Sequence, residues 1–206
     1  MNRVQMRDRV SARLRIPKQG DEQITPKVIN DALNEALRTF SRARRWPWLL
    51  TSVAKTITTS ATATLPTDYV AAGQLVNDDD VVIPYVGMEE LLTGRGRYAW
   101  SDDGTNVRVE PAPTASFATT LWYFRSEPDL DDDTDSPLAP AAWHDPIVLW
   151  AAHICATEQR NYEQAAAYAT QYDRAIAEMD KAIFRKKSGV RVALRSQRSA
   201  SAARWA

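Results

Sequence analysis

Ten consecutive residues, 147–156, read Ile-Val-Leu-Trp-Ala-Ala-His-Ile-Cys-Ala, so that nearly every side chain is apolar. Asp145-Pro146 stands in front of them, a capping residue followed by proline at a first helical position, and the stretch predicts a helix that is apolar on all faces. A helix of that kind cannot lie on a surface; other elements must surround it. The chain supplies them at both ends. Thr25-Pro26 opens a second capped helix, in which Val28, Ile29, Ala32, Leu33, Ala36, Leu37 and Phe40 recur on one face. Trp46-Pro47-Trp48 ends it, because the residue before a proline is pushed out of the α region. Upstream, Val4, Val10, Leu14 and Ile16 sit among five arginines and predict a weaker helix closed by Pro17 and Gly20. Downstream, Tyr162, Ala165, Ala169, Tyr172, Ile176, Met179 and Ile183 step mostly by three and four. That stripe suits antiparallel packing on the apolar helix, with Glu163, Arg174, Glu178 and Lys181 facing outward.

Between the two helical ends the texture changes. Residues 51–125 hold short β-branched runs, SVAKTITT, ATATLP, VVIPYVG, NVRVEPAP and FATTLWYF, separated by turn residues. Asp102-Asp103-Gly104 reads as the turn of a hairpin, and Asp78-Asp79-Asp80 as a turn before VVIPYVG. Both alternating sets of 119–124 are apolar enough to make this strand a candidate for the sheet centre, or for burial between sheet and helices. Residues 125–140, with five aspartates and three prolines, read as a solvated linker. The predicted fold is therefore α+β: a bundle of about four helices with an inserted small antiparallel β lobe and an extended C-terminal arm. Its divisions are 1–50 for the N-terminal helices, 51–127 for the β lobe, 128–140 for the acidic linker, 141–184 for the C-terminal helix pair and 185–206 for the basic arm.

The formal net charge of zero conceals strong segregation. Residues 1–66 carry 12 basic and 5 acidic groups, residues 67–135 carry 4 and 15, and residues 136–184 carry 3 and 6. The arm carries seven basic groups and no acid: Arg185, Lys186, Lys187, Arg191, Arg195, Arg198 and Arg204. Rich in Ser and Ala, it lacks the apolar surface to offset its own ordering entropy and is expected to order only on a partner. Val190, Val192 and Leu194 alternate at strand spacing and Trp205 offers an aromatic anchor, so docking on a protein and contact with nucleic acid both fit. A membrane patch fits less well, because the apolar residues are sparse and the basic ones spread out. The aspartates at 78–80, 102–103 and 131–133 (Asp78, Asp79, Asp80, Asp102, Asp103, Asp131, Asp132 and Asp133) are candidates for intersubunit contacts or for a surface that DNA can pass without sticking.

Catalytic signals are weak. His144-Asp145 reads more simply as a helix start, and His153 and Cys155, two apart on a helix, point in different directions. The phosphate-cradling, nucleophile-elbow and zincin motifs do not occur. The aspartates of 129–135 lack the ligand spacing and central glycine of an EF-hand loop. A single cysteine excludes an intramolecular disulfide and a cysteine-based zinc site, and its apolar setting fits synthesis in a reducing cytoplasm. The N-terminus lacks the apolar core of a signal peptide, and no run approaches the ~18 apolar residues a membrane span needs, so neither secretion nor insertion is expected.

The order of these signals resembles the head-to-tail adaptor proteins of tailed bacteriophages. INDALNEALRTFSRARRWPWLL followed by TITTSATATLPTDYV is similar to their opening helix, tryptophan-proline element and "LP-x-D-Y" strand pair. NVRVEPAPTASFATTLWYFRSEPDL is similar to their paired strand stretch, and VLWAAHICATEQRNYEQAAAYATQYDRAIAEM to their alanine- and tyrosine-rich closing helices. The resemblance, over about residues 25–184, implies a non-enzymatic homo-oligomeric ring, a dodecamer in most such adaptors. It implies a place in the virion neck, stacked on the portal, facing a tail or stopper protein, with packaged DNA passing through. It also puts residues 185–206 where such proteins contact the portal, although so uniformly basic an arm departs from the pattern. The rival from charge alone is a nucleic-acid-binding protein that clamps DNA with the basic N-terminal helix and the arm. A hydrolase using His144, Asp145 or His153 is a remote third. No cofactor is called for by any reading.

Overall fold

The computed structural model describes residues 1–16, 24–93 and 98–184. Pro17, Gly20 and the whole basic arm therefore lie outside the described residues. Among those described, α1 (Arg3–Leu14), α2 (Pro26–Ala43), α3 (Met88–Leu92), α4 (Asp145–Glu158) and α5 (Tyr162–Phe184) accompany seven strands, a mixed α+β architecture with antiparallel sheets.

α4 lies against α1, α2 and α5 at once, as its all-round apolar character requires. Ile147, Val148, Ala151, Ala152, Cys155 and Ala156 are completely buried, and the small residues let the neighbouring helices approach closely. α2 presents Ile29, Ala32, Leu33, Ala36, Leu37 and Phe40 to this core, and its first turn is capped by Thr25, whose Oγ1 accepts from Val28 N–H. α1 starts on a reciprocal capping box: Asn2 accepts from Gln5 N–H, and the Gln5 side chain accepts from Asn2 N–H. It ends at Leu14, where Arg15 turns into the left-handed region at φ 58°. α4 and α5 form a tight hairpin through Arg160, also left-handed, and Asn161, whose side chain accepts from Gln164 N–H. The buried stripe of α5 is Ala165, Tyr168, Tyr172, Ile176 and Met179. Tyr162, placed on that stripe by its spacing, is instead 66% exposed, because it lies in the first turn, beside the hairpin and beyond the end of α4's cover. Tyr168 takes the inward role and donates its hydroxyl hydrogen to the Arg13 carbonyl, tying α5 to the end of α1.

The β region is two antiparallel sheets face to face. One has the order β1 (Leu50–Ile57), β7 (Phe117–Arg125), β3 (Tyr69–Asn77), β4 (Val82–Ile83); the other has β2 (Thr62–Thr64), β6 (Asn106–Glu110), β5 (Ala99–Asp102). Ile57, Leu75, Leu121 and Tyr123 from the first meet Trp100, Val107 and Val109 from the second in a core separate from the helical one. β7 is central in its sheet, flanked by β1 and β3 along its length, but only one face is buried: Thr119, Leu121 and Tyr123 point inward while Trp122 faces out. β3, with the sequence YVAAGQLVN, is absent from the sequence reading because its alanines and glycine carry little β preference. The pairing with β7 imposes it. α3 was missed as well, being a single apolar-acidic turn opened by Gly87.

Residues 126–140 form no regular element apart from turns and expose Asp129 and Asp131–Asp133, as a solvated linker would, but part of the segment is packed down. Leu130 and Ala139 are buried, as is the carboxyl of Glu127, which accepts from Ala139 N–H and whose pKa is raised chiefly by that burial. The segment is a strap laid over the helices.

At Gly73 the β3–β7 register shifts, and an added Cβ would stand 2.5 Å from the Trp122 carbonyl oxygen, with only backbone atoms in the way. Replacing Gly73 with alanine should destabilise the fold by about 1–3 kcal/mol in denaturant unfolding. Gly87→Ala, with nothing near the added carbon, should stay within about 0.5 kcal/mol.

Candidate interaction site

The end of α2 and the end of α5 meet in a stack of rings. Trp46 packs near-parallel to both Phe40 and Trp48, with each ring centroid 5.2 Å away, Phe40 and Trp48 are 6.3 Å from one another, and Phe184 adds a fourth ring 6.2 Å from Trp46. The stack forms because α2 ends at Ala43, Arg44 runs extended and Pro47 keeps Trp46 out of the α region, which folds the Trp-Pro-Trp segment back, and the Trp46 indole N–H donates to the Phe40 carbonyl freed at the helix end, at 2.8 Å. Arg44, leaving the helix in extended conformation, pairs with Asp180 of α5 at 3.0 Å. Arg45 reaches the opposite way and holds its guanidinium 5.9 Å above the Phe124 ring of β7. The point where the chain passes out of the described residues is thus packed on one side and open on the other.

The open side continues onto the outer face of the four-stranded sheet. Leu50, Trp122 and Phe124 rise from it, Ala72 and Gly73 make a low floor, and Arg45 closes one end. Leu50 and Trp122 are 42% and 39% exposed. The sequence carried the signal for this surface, since Trp122 alternates with the buried set of β7. Reading both sets as interior hid it.

The charge segregation resolves within one subunit. Arg3 donates to Asp133 at 2.8 Å and to the carbonyls of Leu130 and Asp131, and Arg7 adds a second pairing with Asp133. The N–H groups of Arg3 and Val4 donate to the Asp135 and Asp133 carbonyls. Arg38 of α2 pairs with Asp129, Asn34 accepts from Leu130 N–H, and Arg9 and Arg13 pair with Asp145 at the start of α4. Hydrogen bonds from Arg3 hold the Asp133 carboxyl below the usual carboxylate range. Asp131 and Asp132 are exposed, and their N–H groups donate to the Asp135 carboxylate.

The remaining aspartates lie elsewhere. Asp78, Asp79 and Asp80 form the exposed β3–β4 turn around the Asn77 side chain. Asp103 accepts from Thr105 and Asn106 N–H in the β5–β6 turn, which lowers its pKa. Asp102 accepts from the hydroxyls of both Tyr69 and Tyr85, at 2.9 and 3.2 Å, and so latches the two sheets together. The sequence candidates are therefore not one cluster.

The histidines and the cysteine are engaged in packing. His144, not Asp145, holds the N-cap position ahead of α4, and it makes no side-chain cap. It is buried, with Nε2–H donating to the Ala139 carbonyl at 2.7 Å and Nδ1 accepting from the Met1 amine at 2.9 Å. His153 Nδ1–H donates to the Ala165 carbonyl across the hairpin. Cys155 is fully buried and its thiol is pushed up to about 12 by that burial. Among the described residues, no three His, Cys, Asp or Glu side chains converge in a manner suited to a metal ion, and no helix is long and apolar enough to cross a membrane.

The family model described as SU10 adaptor protein matches residues 1–201. The chain belongs to that family. It is a phage adaptor-type protein, and membership of the SU10 adaptor family makes it a virion component. No curated protein matches it in sequence. The match extends through almost all of the basic arm, whose candidate docking residues lie outside the described residues, so the arm belongs to the family's own sequence.

Two outcomes follow from this geometry. Burial lowers the His144 pKa below the ordinary 6.5, so the unfolded chain takes up the extra proton first and stability falls as pH drops through 6.5. Denaturant unfolding between pH 7.5 and 5.5 should show that loss, and His144→Gln, which keeps a donor for Ala139, should flatten it relative to the parent chain. Separately, Asp133→Ala should speed hydrogen exchange in residues 129–135 and in the first turn of α1 while leaving α4 protected, as measured by mass spectrometry.

Proposed function

We propose that this SU10 adaptor family member is a head-to-tail adaptor subunit, a structural and non-catalytic protein that forms a ring, most simply a dodecamer, beneath the phage portal. The ring joins the capsid vertex to a tail or stopper protein and lines part of the channel through which packaged DNA passes. The observation that carries this reading is the family match across the whole helical and β framework and on into the arm. Three features of the subunit agree with it. α4 and its neighbours share one continuous buried core, a helical body that can be repeated around an axis. The β sandwich is a separate core that presents acidic turns at Asp78–Asp80 and Asp103, a surface that repels the DNA backbone. The residues with ordinary catalytic potential, His144, His153 and Cys155, are occupied by backbone hydrogen bonds or buried among apolar side chains.

In this reading residues 185–206 strap the subunit to the portal, with the seven basic groups directing encounter and Val190, Val192, Leu194 and Trp205 gripping. The nucleic-acid reading loses half its support, because Arg3, Arg7, Arg9 and Arg13 of α1 face carboxylates of their own chain. Deletion of residues 185–206 should abolish binding to portal rings in a co-sedimentation assay while leaving the thermal melt of the helical core unchanged. Binding at undiminished level would overturn the strap. Duplex DNA binding over a salt series should be weak and indifferent to sequence; tight binding with a steep salt slope would favour the nucleic-acid reading instead.

A further inference from the structure

A second destination for the basic arm lies on the subunit itself. Phe184, the last described residue, is 41% exposed and lines a groove with Arg44, Arg45, Ala177, Asp180 and Lys181. Arg45 also lines the groove over the outer sheet face, about 540 Å³ of open space walled by Leu50, Trp122 and Phe124. The two grooves therefore adjoin at Arg45, and the chain leaves from one end of the pair. Arg45 borders a third depression too, shared with Tyr69, Tyr85 and Asp102, which brings a carboxylate to the far side of the same surface.

Three physical arguments favour the chain's own arm as occupant. An extended chain advances at most ~3.6 Å per residue, so the six residues to Val190 reach about 20 Å from Phe184, enough to pass Arg45 and enter the sheet-face groove. Val190, Val192 and Leu194 alternate at strand spacing and can turn one apolar edge to Leu50, Trp122 and Phe124 while Arg191 and Arg195 face away. An uncovered apolar sheet face is also a liability for a free subunit in solution.

We infer that in the free subunit residues 185–206 lie back across the outer face of the four-stranded sheet, with Val190, Val192 and Leu194 seated on Leu50, Trp122 and Phe124 of the same chain. This holds for the subunit alone and stands whether or not the arm later binds a portal.

The test uses the full chain with two added cysteines, Gln74→Cys beside Trp122 and Val192→Cys in the arm; native Cys155 is buried and stays out of the reaction. After mild oxidation at low micromolar concentration, peptide mass spectrometry should find the 74–192 cystine within single chains, in several-fold excess over the 60–192 cystine of a Ser60→Cys, Val192→Cys control. Ser60 is exposed at the opposite end of β1, roughly 25 Å along the strand. Adding Trp122→Ser, a substitution at the surface whose folding is checked by circular dichroism, should lower the 74–192 yield several-fold. Equal yields from the two pairs, no 74–192 cystine, or a yield indifferent to Trp122→Ser would overturn the inference. So would a cystine that joins two chains and grows with concentration, because the groove would then be serving a second copy.

Discussion

Everything in the helical half depends on hiding α4. A helix with Ile147, Val148, Ala151, Ala152, Cys155 and Ala156 completely buried has no side to give to solvent, so three helices and a strap must close around it. α2 and α5 do this with ordinary amphipathic stripes. α1 is the weak member, and it is retained by polar ties: its arginines reach the strap and the start of α4, and Tyr168 holds its C-terminal end. Charge here does not replace burial. It positions an element whose own apolar face is narrow.

The same ties explain why a molecule with so uneven a distribution of charge need not draw on a neighbour for neutralisation. Asp129, Asp133 and Asp145 meet Arg38, Arg3, Arg7, Arg9 and Arg13 inside one subunit, at exposed or half-exposed positions where each pair is worth little alone. Acting together on one short segment they fix its path, helped by the buried side chain of Leu130 and the Asn34 hydrogen bond. Exposed carboxylates also stand on turns of the β sandwich, at Asp78–Asp80 and Asp103, and the arm adds seven cations of its own.

Much of this was legible in the residues. The capped start of α2, the apolar α4, the Asp103 turn and the central position of β7 each follow from a local rule that tertiary structure had no reason to override. What escaped was non-local. β3 exists because β7 pairs with it, not because YVAAGQLVN favours extension. The strap looked solvated because composition records five aspartates and cannot record the arginines, some 130 positions away, that meet them. The sheet-face groove needs Trp122 to be exposed; alternation along β7 separates Trp122 from the Thr119, Leu121 and Tyr123 set, but with both sets apolar it does not say which of them faces the core. The aromatic stack needed Phe184 and Trp46 to be brought together from opposite ends of the sequence.

The dependence of α1 on partners far along the chain carries a consequence for how the molecule is made. Its hydrogen bonds and ion pairs join Arg3, Arg7, Arg9 and Arg13 to Asp133, Asp145 and Tyr168, separations of more than 120 residues. In N-to-C synthesis these partners do not yet exist when α1 emerges, and its polar ties wait until the β sandwich, α4 and α5 have been made. Closing so long a loop is slow compared with forming the local α4–α5 hairpin, so α1 completes the fold as a latch rather than nucleating it.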